Sequence, residues 1–424
     1  MAIETPGSAR DPSAPAFKDS GGSTPLGGPI NDAPMKIAYV SSVDPRDRRS
    51  WSGAHYYIIR ALQKHCGEVS CIGPLTAPLL LRRILNAVDR RSQLHLRRKY
   101  DQTHSLLLSR SFAKSIASKI AGRHFDMIIA PVGSTEIAFL KTRTPIVYMS
   151  DTTFRLINDY YDAFSDLLPL SIWEGNRIES MAIRKARLLV YASQWAATSA
   201  VQDYGADPAR TYVLPHGANV DAEHIPKKEE VASRRAAGGC NLLFLGVDWE
   251  RKGGDITFEA LLELERRGID AHLTVCGCVP PERFRHPRMH VIPFLDKNVK
   301  AQRERFVDLL WRSDLLFVPT RADCSPMVFS EASAYGLPIV STATGGVPEI
   351  VHDGENGILL PRSARGAEYA ERIAEVCRNQ SHYVRLSRAT RAAFESRLNW
   401  DAWALRLCEL MTEIPQVLSS SSVT

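Results

Sequence analysis

Nowhere in its 424 residues does the chain reach the roughly 20 consecutive apolar positions that a membrane-spanning helix needs, which argues against an integral membrane protein. Its first residues lack the apolar stretch of about 7–15 that marks a secretory signal, so no secreted route is expected. The eight cysteines (Cys66, Cys71, Cys240, Cys276, Cys278, Cys324, Cys377 and Cys408) form no Cys-x-x-Cys pair and have no histidine at zinc spacing. Reduced, mostly buried thiols of a cytosolic protein are expected, with Cys276 and Cys278 packing at the end of a strand. Neither sign of charge dominates: 53 Lys+Arg against 47 Asp+Glu leave a formal +6, too little for a dedicated nucleic-acid binder. Also missing are G-x-G-x-x-G after the first strand of either half and G-x-x-x-x-G-K-[ST] anywhere. These absences argue against a nicotinamide dehydrogenase and a P-loop nucleotidase.

What is present is alternation. Residues 1–34 hold six prolines, five glycines and four serines and read as a disordered tail. Order begins at Met35 with a continuous apolar run typical of a strand buried on both faces, and a helix follows over Ala54–His65. Strands are predicted at 68–72, 126–130, 145–150, 188–192 and 211–214. A second series is predicted at 241–246, 272–277, 290–295, 315–320, 338–343 and 357–360, with helices between. The result is an α/β chain of two Rossmann-like, doubly wound parallel-sheet domains, over 35–216 and 240–396, joined by a hinge at 217–239. Two such domains direct the carboxyl ends of their strands toward a shared cleft, where a ligand is expected.

One block carries most of the chemistry, the run from Val318 to Val340 followed by Thr344-Gly-Gly-Val-Pro-Glu349. A strand feeds a loop in which Ser325 reads as an N-cap and Pro326 as the first helical residue, and the helix stops at Gly336. Such a helix start offers free amides and a positive dipole end to a phosphate. Glu331, about two turns in, can accept hydrogen bonds from a vicinal diol, and Asp323 sits eight positions earlier. A second block, from Leu245 to Gly254, places Arg251 and Lys252 in a glycine-rich turn, where they can neutralise a diphosphate.

The first block resembles the E-x7-E signature of the retaining glycosyltransferases of GT-B fold, family 4, and the similarity extends from Met35 to about Pro415. The resemblance implies that a nucleotide-sugar sits mainly on the second domain, with Asp323 on the sugar, Glu331 on the ribose, and Ser325, Pro326, Met327 and Val328 as a backbone cradle. Lys252 matches the family's lysine, and Arg251 substitutes for its arginine, whose position here is Val247. Gly53, after Ser52, resembles the glycine loop that lets backbone approach donor phosphate or acceptor. Asp151 falls where many members carry a His-Asp pair, with Ser150 at the histidine. His216 resembles a hinge-motif position with a positioning role. Residues 397–415 look like the terminal helix that returns to the first domain, and 416–424 form a flexible tail.

The implied function is sugar transfer from a UDP- or GDP-linked donor to a glycan or lipid-linked acceptor with retention of configuration. No metal ligand and no cofactor besides the nucleotide-sugar co-substrate are expected, since no convincing Asp-x-Asp motif occurs. A non-catalytic sugar-nucleotide-binding protein and a sugar-nucleotide epimerase stay open as alternatives. Charge supplies a clue to the acceptor: from Arg82 to Arg123 there are eleven Lys or Arg against Asp89 and Asp101 alone. Leu81, Ile84, Leu85 and Val88 read as one apolar face of a basic helix, so an anionic membrane surface is an expected partner and nucleic acid is not. The expected location is cytoplasmic, peripheral at the inner face of the membrane.

Overall fold

The computed structural model describes residues 34–233 and 240–414; the tail readings at 1–33 and 416–424, and the end of the hinge, fall outside them. All twelve anticipated strands are present: β1 (Met35–Val40), β2 (Gly67–Ile72), β3 (Met127–Pro131), β4 (Ile146–Ser150), β5 (Leu188–Tyr191), β6 (Thr211–Val213), β7 (Cys240–Leu245), β8 (Ala271–Cys276), β9 (Met289–Ile292), β10 (Leu315–Val318), β11 (Ile339–Thr342) and β12 (Gly357–Leu360). They form two six-stranded sheets, β2-β1-β3-β4-β5-β6 and β12-β11-β10-β7-β8-β9, and every pairing is parallel. Strands buried on both faces explain the unbroken apolar runs, because a parallel sheet is covered by helices on each side.

Numbering only helices of eight residues or more, these are α1 (Ala54–His65), α2 (Leu79–Leu96), α3 (Leu106–Ile120), α4 (Pro169–Lys185), α5 (Gln194–Tyr204), α6 (Gly254–Arg266), α7 (Lys300–Arg312), α8 (Met327–Ala334), α9 (Gly366–Arg378), α10 (Gln380–Ser396) and α11 (Trp400–Thr412). One face of the first sheet packs against Ile58 and Leu62 of α1 together with Trp403, Leu407 and Leu410 of α11. Its other face packs against α3, α4 and α5 through Ile116, Ile183 and Ala197. The second sheet has its own core, with Leu261 of α6, Phe329 of α8, Tyr369 of α9 and Leu386 of α10 around Phe244 and Phe317.

In each sheet the order reverses at one point, between β1 and β3 in the first and between β7 and β10 in the second. Loops leaving adjacent strands in opposite directions open a crevice at the carboxyl edge, and that is where ligands bind such sheets. The loops after β7 and β10 carry Lys252 and Asp323.

Two expectations are corrected. Cys240, at the start of β7, and Cys377, at the end of α9, are disulfide-linked with Cα atoms 6.1 Å apart, so the chain is not wholly made of free thiols; the other six cysteines are free. The proposed apolar face of α2 is also split. Leu85 is buried and Leu81 half-buried against the domain, whereas Ile84 and Val88 face outward.

Candidate functional site

The glycine-rich turn after β7 is built by close approach. Gly253 takes a left-handed φ of +76°, and a Cβ there would come within 2.1 Å of the Pro319 carbonyl oxygen. Gly254 opens α6 beneath the Trp249 ring, where a Cβ would lie 2.1 Å from Cδ2. These contacts press the turn onto the β10 loop, and the Arg321 N–H donates to the Arg251 carbonyl at 2.8 Å. Lys252 and Asp323 form a buried ion pair in consequence. Arg251 points along the same loop, its Nη1 donating to the Ala322 carbonyl at 2.9 Å and its guanidinium lying 4.9 Å over the Tyr161 ring.

The helix start differs from the expected one. Pro326 is the N-cap, not the first helical residue, and α8 begins at Met327. An extended Pro326 (ψ 100°) carries Ser325 out of capping reach, and no side chain caps this helix. The Ser325 hydroxyl is left buried without a hydrogen-bond partner among the described residues. Pro326 has no N–H, so amides of a cradle would come from Ser325, Met327 and Val328. The Gly345-Gly346 pair packs on this loop so closely that a Cβ on Gly346 would come 1.9 Å from the Cys324 carbonyl oxygen.

Glu331 lies one turn into α8 and is fully buried. Lys297 Nζ binds its Oε1 at 2.5 Å, while Oε2 has no hydrogen-bond partner among the described residues. Burial pushes this carboxyl up and the lysine opposes the rise. Lys297 was not anticipated. It follows β9, 34 residues from its partner, and its ammonium also lies 4.0 Å from the Phe306 ring centroid.

Across the cleft, Trp51, Ser52 and Gly53 all have positive φ, at 47°, 55° and 94°. Non-glycine residues held this way store strain that the surroundings must hold. Here the Asn219 amide donates to the Ser52 carbonyl at 2.9 Å. A Cβ on Gly53 would meet the Arg48 carbonyl at 3.0 Å, so the loop needs glycine there. Trp51 Nε1–H donates to Asp151 Oδ2 at 3.3 Å. Burial lifts the Asp151 carboxyl to about 6, the Trp51 hydrogen bond opposes this, and the charge of Asp323 adds a smaller push. His216 packs between Trp51 and Trp400, with ring centroids at 4.9 and 5.8 Å, and burial lowers it to about 3, so it is neutral at physiological pH.

Two further cross-cleft contacts come from the segment after β4. The Asp323 N–H donates to Tyr160 Oη at 3.0 Å and the Cys324 N–H to Tyr161 Oη at 2.9 Å. Cys324 is buried against Phe154 and Ile157 of the first domain. At the hinge, Asp221 receives Arg48 of the first domain at 2.9 Å and Arg303 of the second at 3.1 Å, with Tyr57 Oη at 3.2 Å from its Oδ1. The expected residues thus divide into a second-domain set (Arg251, Lys252, Asp323, Ser325, Pro326, Met327, Val328 and Glu331) and a first-domain set (Gly53 and Asp151).

Residues 239–379 match the family model described as glycosyl transferases group 1. A D-inositol 3-phosphate glycosyltransferase of Corynebacterium efficiens is 27% identical over 290 residues, 64% of this chain and 66% of the relative. One of the same description from Xylanimonas cellulosilytica is 26% identical over 55% of this chain and 59% of its own length, so the matches span about two thirds or less of these relatives. Among solved structures, Anabaena Alr3699/HepE in complex with UDP and glucose superposes with a TM-score of 0.61 at 18% identity, covering 89% of this chain and 99% of that one. WaaG, a glycosyltransferase involved in lipopolysaccharide biosynthesis, gives 0.56 at 16% identity over 89% and 100%. The chain has the GT-B fold, and within its second domain residues 239–379 match the model of the glycosyl transferases group 1.

Proposed function

We propose that this chain is a glycosyltransferase that moves a sugar from a UDP- or GDP-linked donor to a glycan or lipid-linked acceptor, with retention of configuration and without a metal ion. The observation that carries the reading is the half-satisfied Glu331 carboxylate. A fully buried acid with one oxygen on Lys297 and the other unpaired is costly unless a ligand completes it, and a ribose diol supplies the missing donor. Lys252 is paired with Asp323, in the loop that leads into α8, where a donor diphosphate bound by the ribose at Glu331 would reach.

In the reaction the bond from the anomeric carbon to the diphosphate oxygen breaks, the acceptor oxygen bonds to that carbon on the same face, and the acceptor proton passes to the departing phosphate oxygen. Lys252, Arg251 and the amides of the α8 start stabilise the charge that develops on the leaving group, so the chain's own cations do the work that a metal does elsewhere. Asp323 orients the sugar and keeps Lys252 in place, while Asp151 and the Gly53 loop face the acceptor. Closure through Tyr160 and Tyr161 keeps water from the donor. The reading places this chemistry in the cytoplasm, with the lipid-linked acceptor presented at the inner face of a membrane.

Titration calorimetry with a panel of UDP- and GDP-sugars tests it. The wild type is expected to bind at least one donor, and Glu331→Ala to weaken that binding by about tenfold or more, the worth of one buried hydrogen bond to a charged group. No donor binding by the wild type, or equal binding by the variant, overturns the proposal. Release of an altered free donor in the absence of any acceptor would instead mark an epimerase, and binding without turnover on any acceptor a non-catalytic protein.

A further inference from the structure

α2 is an 18-residue helix, about 27 Å long, of which only Leu85 and Ser92 are buried. Its outward side is apolar. Leu79 and Leu80 are each 71% exposed, Leu94 75% and Leu96 61%, with Ile84 and Val88 also exposed. At 100° per residue, Leu80 and Leu94 fall on the side opposite Leu85 and Ser92, interleaved with Arg83, Arg90 and Arg91, with Leu79 and Ile84 on its two flanks and Val88 nearer the buried side. From Leu79 to Lys99 there are seven Lys or Arg and a single acid, Asp89, whose carboxylate accepts hydrogen bonds from the Tyr100 N–H at 2.9 Å and from Gln93.

The patch continues beyond the helix. Just after α2, the Lys99 N–H donates to the Asp166 carbonyl and the Leu168 N–H to the Lys99 carbonyl, both at 2.9 Å, and Arg98 Nη1 donates to the Leu167 carbonyl. This stitching sets the end of α2 beside the start of α4, whose Leu170 and Trp173 are 52% and 57% exposed. Leu107 at the start of α3, whose neighbour Leu106 is bonded through its N–H to Glu174 of α4, is exposed as well. Nine of the seventeen large exposed apolar side chains among the described residues thus lie on α2 and at the starts of α3 and α4.

We propose that α2, with Trp173 beside it, is a docking surface for an anionic lipid bilayer. In this arrangement the leucines enter the acyl boundary, the arginines sit among phosphate headgroups, and Trp173 lies at headgroup depth, where an amphipathic ring is favoured. A protein groove would satisfy the leucines; it would not call for arginine between them along the whole length, whereas a layer that is anionic above and apolar beneath meets both. The segment joining this surface to the cleft is the one that bears Tyr160 and Tyr161, so a docked molecule presents its acceptor side to lipid. The proposal goes beyond the transferase reading and does not depend on it, since lipid binding requires no donor.

The test is co-sedimentation of the full chain with sucrose-loaded vesicles, mixed phosphatidylcholine–phosphatidylglycerol against pure phosphatidylcholine. The wild type is expected to pellet with the mixed vesicles. The double variant Leu80→Glu/Leu94→Glu is expected to lose about tenfold or more of that affinity, and Arg90→Gln/Arg91→Gln to lose the preference for anionic lipid. All four positions are exposed, so melting temperatures should match the wild type and separate lost docking from lost folding. Comparison with Trp173→Phe is expected to assign a blue-shifted emission to Trp173 on vesicle addition. Failure of the wild type to bind mixed vesicles overturns the proposal. Undiminished binding by the leucine variant overturns it too, because charge alone then explains the adsorption, as does an unshifted Trp173.

Discussion

Glu331 and Lys297 are a buried pair in which neither member is optional. Removing one partner of such a pair leaves the other charge uncompensated, at about 3–5 kcal/mol. Lys297→Met should therefore lower the unfolding free energy by that order. The deficit should also depend on pH. Without the ammonium, the folded-state pKa of Glu331 climbs further above its unfolded value, so the native variant holds a proton that the unfolded chain releases. Urea melts should then show a loss that widens from pH 5 to pH 8 and narrows under acid. Asp151 obeys the same sign: lifted to about 6 in the fold, its carboxyl costs stability as pH rises through that value. Asp151→Asn should be more stable than the wild type at pH 8, the gap closing toward pH 4, while transfer activity falls. At this scale the reading from sequence depended on distance along the chain. Asp323, Glu331 and Lys252 were visible because each motif lies within one loop and its helix. Lys297, Tyr160 and Tyr161 were not, because their partners lie 34 residues away and, for both tyrosines, 163 residues away.

The strands were the most legible elements, since burial on both faces writes an apolar run that needs no partner to be recognised, and α1 was legible down to its ends at Ala54 and His65. The start of α8 was misread, and the cause is local. A serine before a proline looks like a cap followed by a first turn, but here the proline itself occupies the junction, and the hydroxyl of its neighbour has no hydrogen-bond partner among the described residues. Apolar periodicity likewise marked α2 as a helix without saying which of its sides met the domain. The turns are held by glycine for reasons of space as much as of φ. Gly253→Ala combines a left-handed backbone with a Cβ driven into the Pro319 carbonyl and should cost about 2 kcal/mol or more, seen as a lower urea midpoint. By displacing Lys252 as well, it should weaken donor binding beyond what the lost stability accounts for.

At the scale of the molecule, the two domains are joined by charged ties, by the tyrosine and Cys324 contacts across the cleft, and by one helix. Asp221 gathers Arg48 and Arg303 from opposite domains at a site with little access to water. Asp221→Ala leaves those arginines without a counter-charge and should cost about 3–5 kcal/mol. Small-angle scattering should also show a larger radius of gyration for this variant as the domains part. The overall plan, two parallel sheets around a cleft, was readable from alternation alone, whereas the ties were not, because each joins residues far apart in the sequence: Asp221 lies 173 residues from Arg48 and reaches Arg303 on α7. A further connection is α11. Its Trp403, Leu407 and Leu410 complete the packing over one face of the first sheet, beside α1. The first domain is therefore finished by residues translated after the whole of the second sheet. Until residues 400–412 emerge, the nascent chain presents Ile58, Leu62 and their neighbours uncovered, and a message truncated before that point would yield a protein whose intact second domain is carried by a first domain that cannot close its own core.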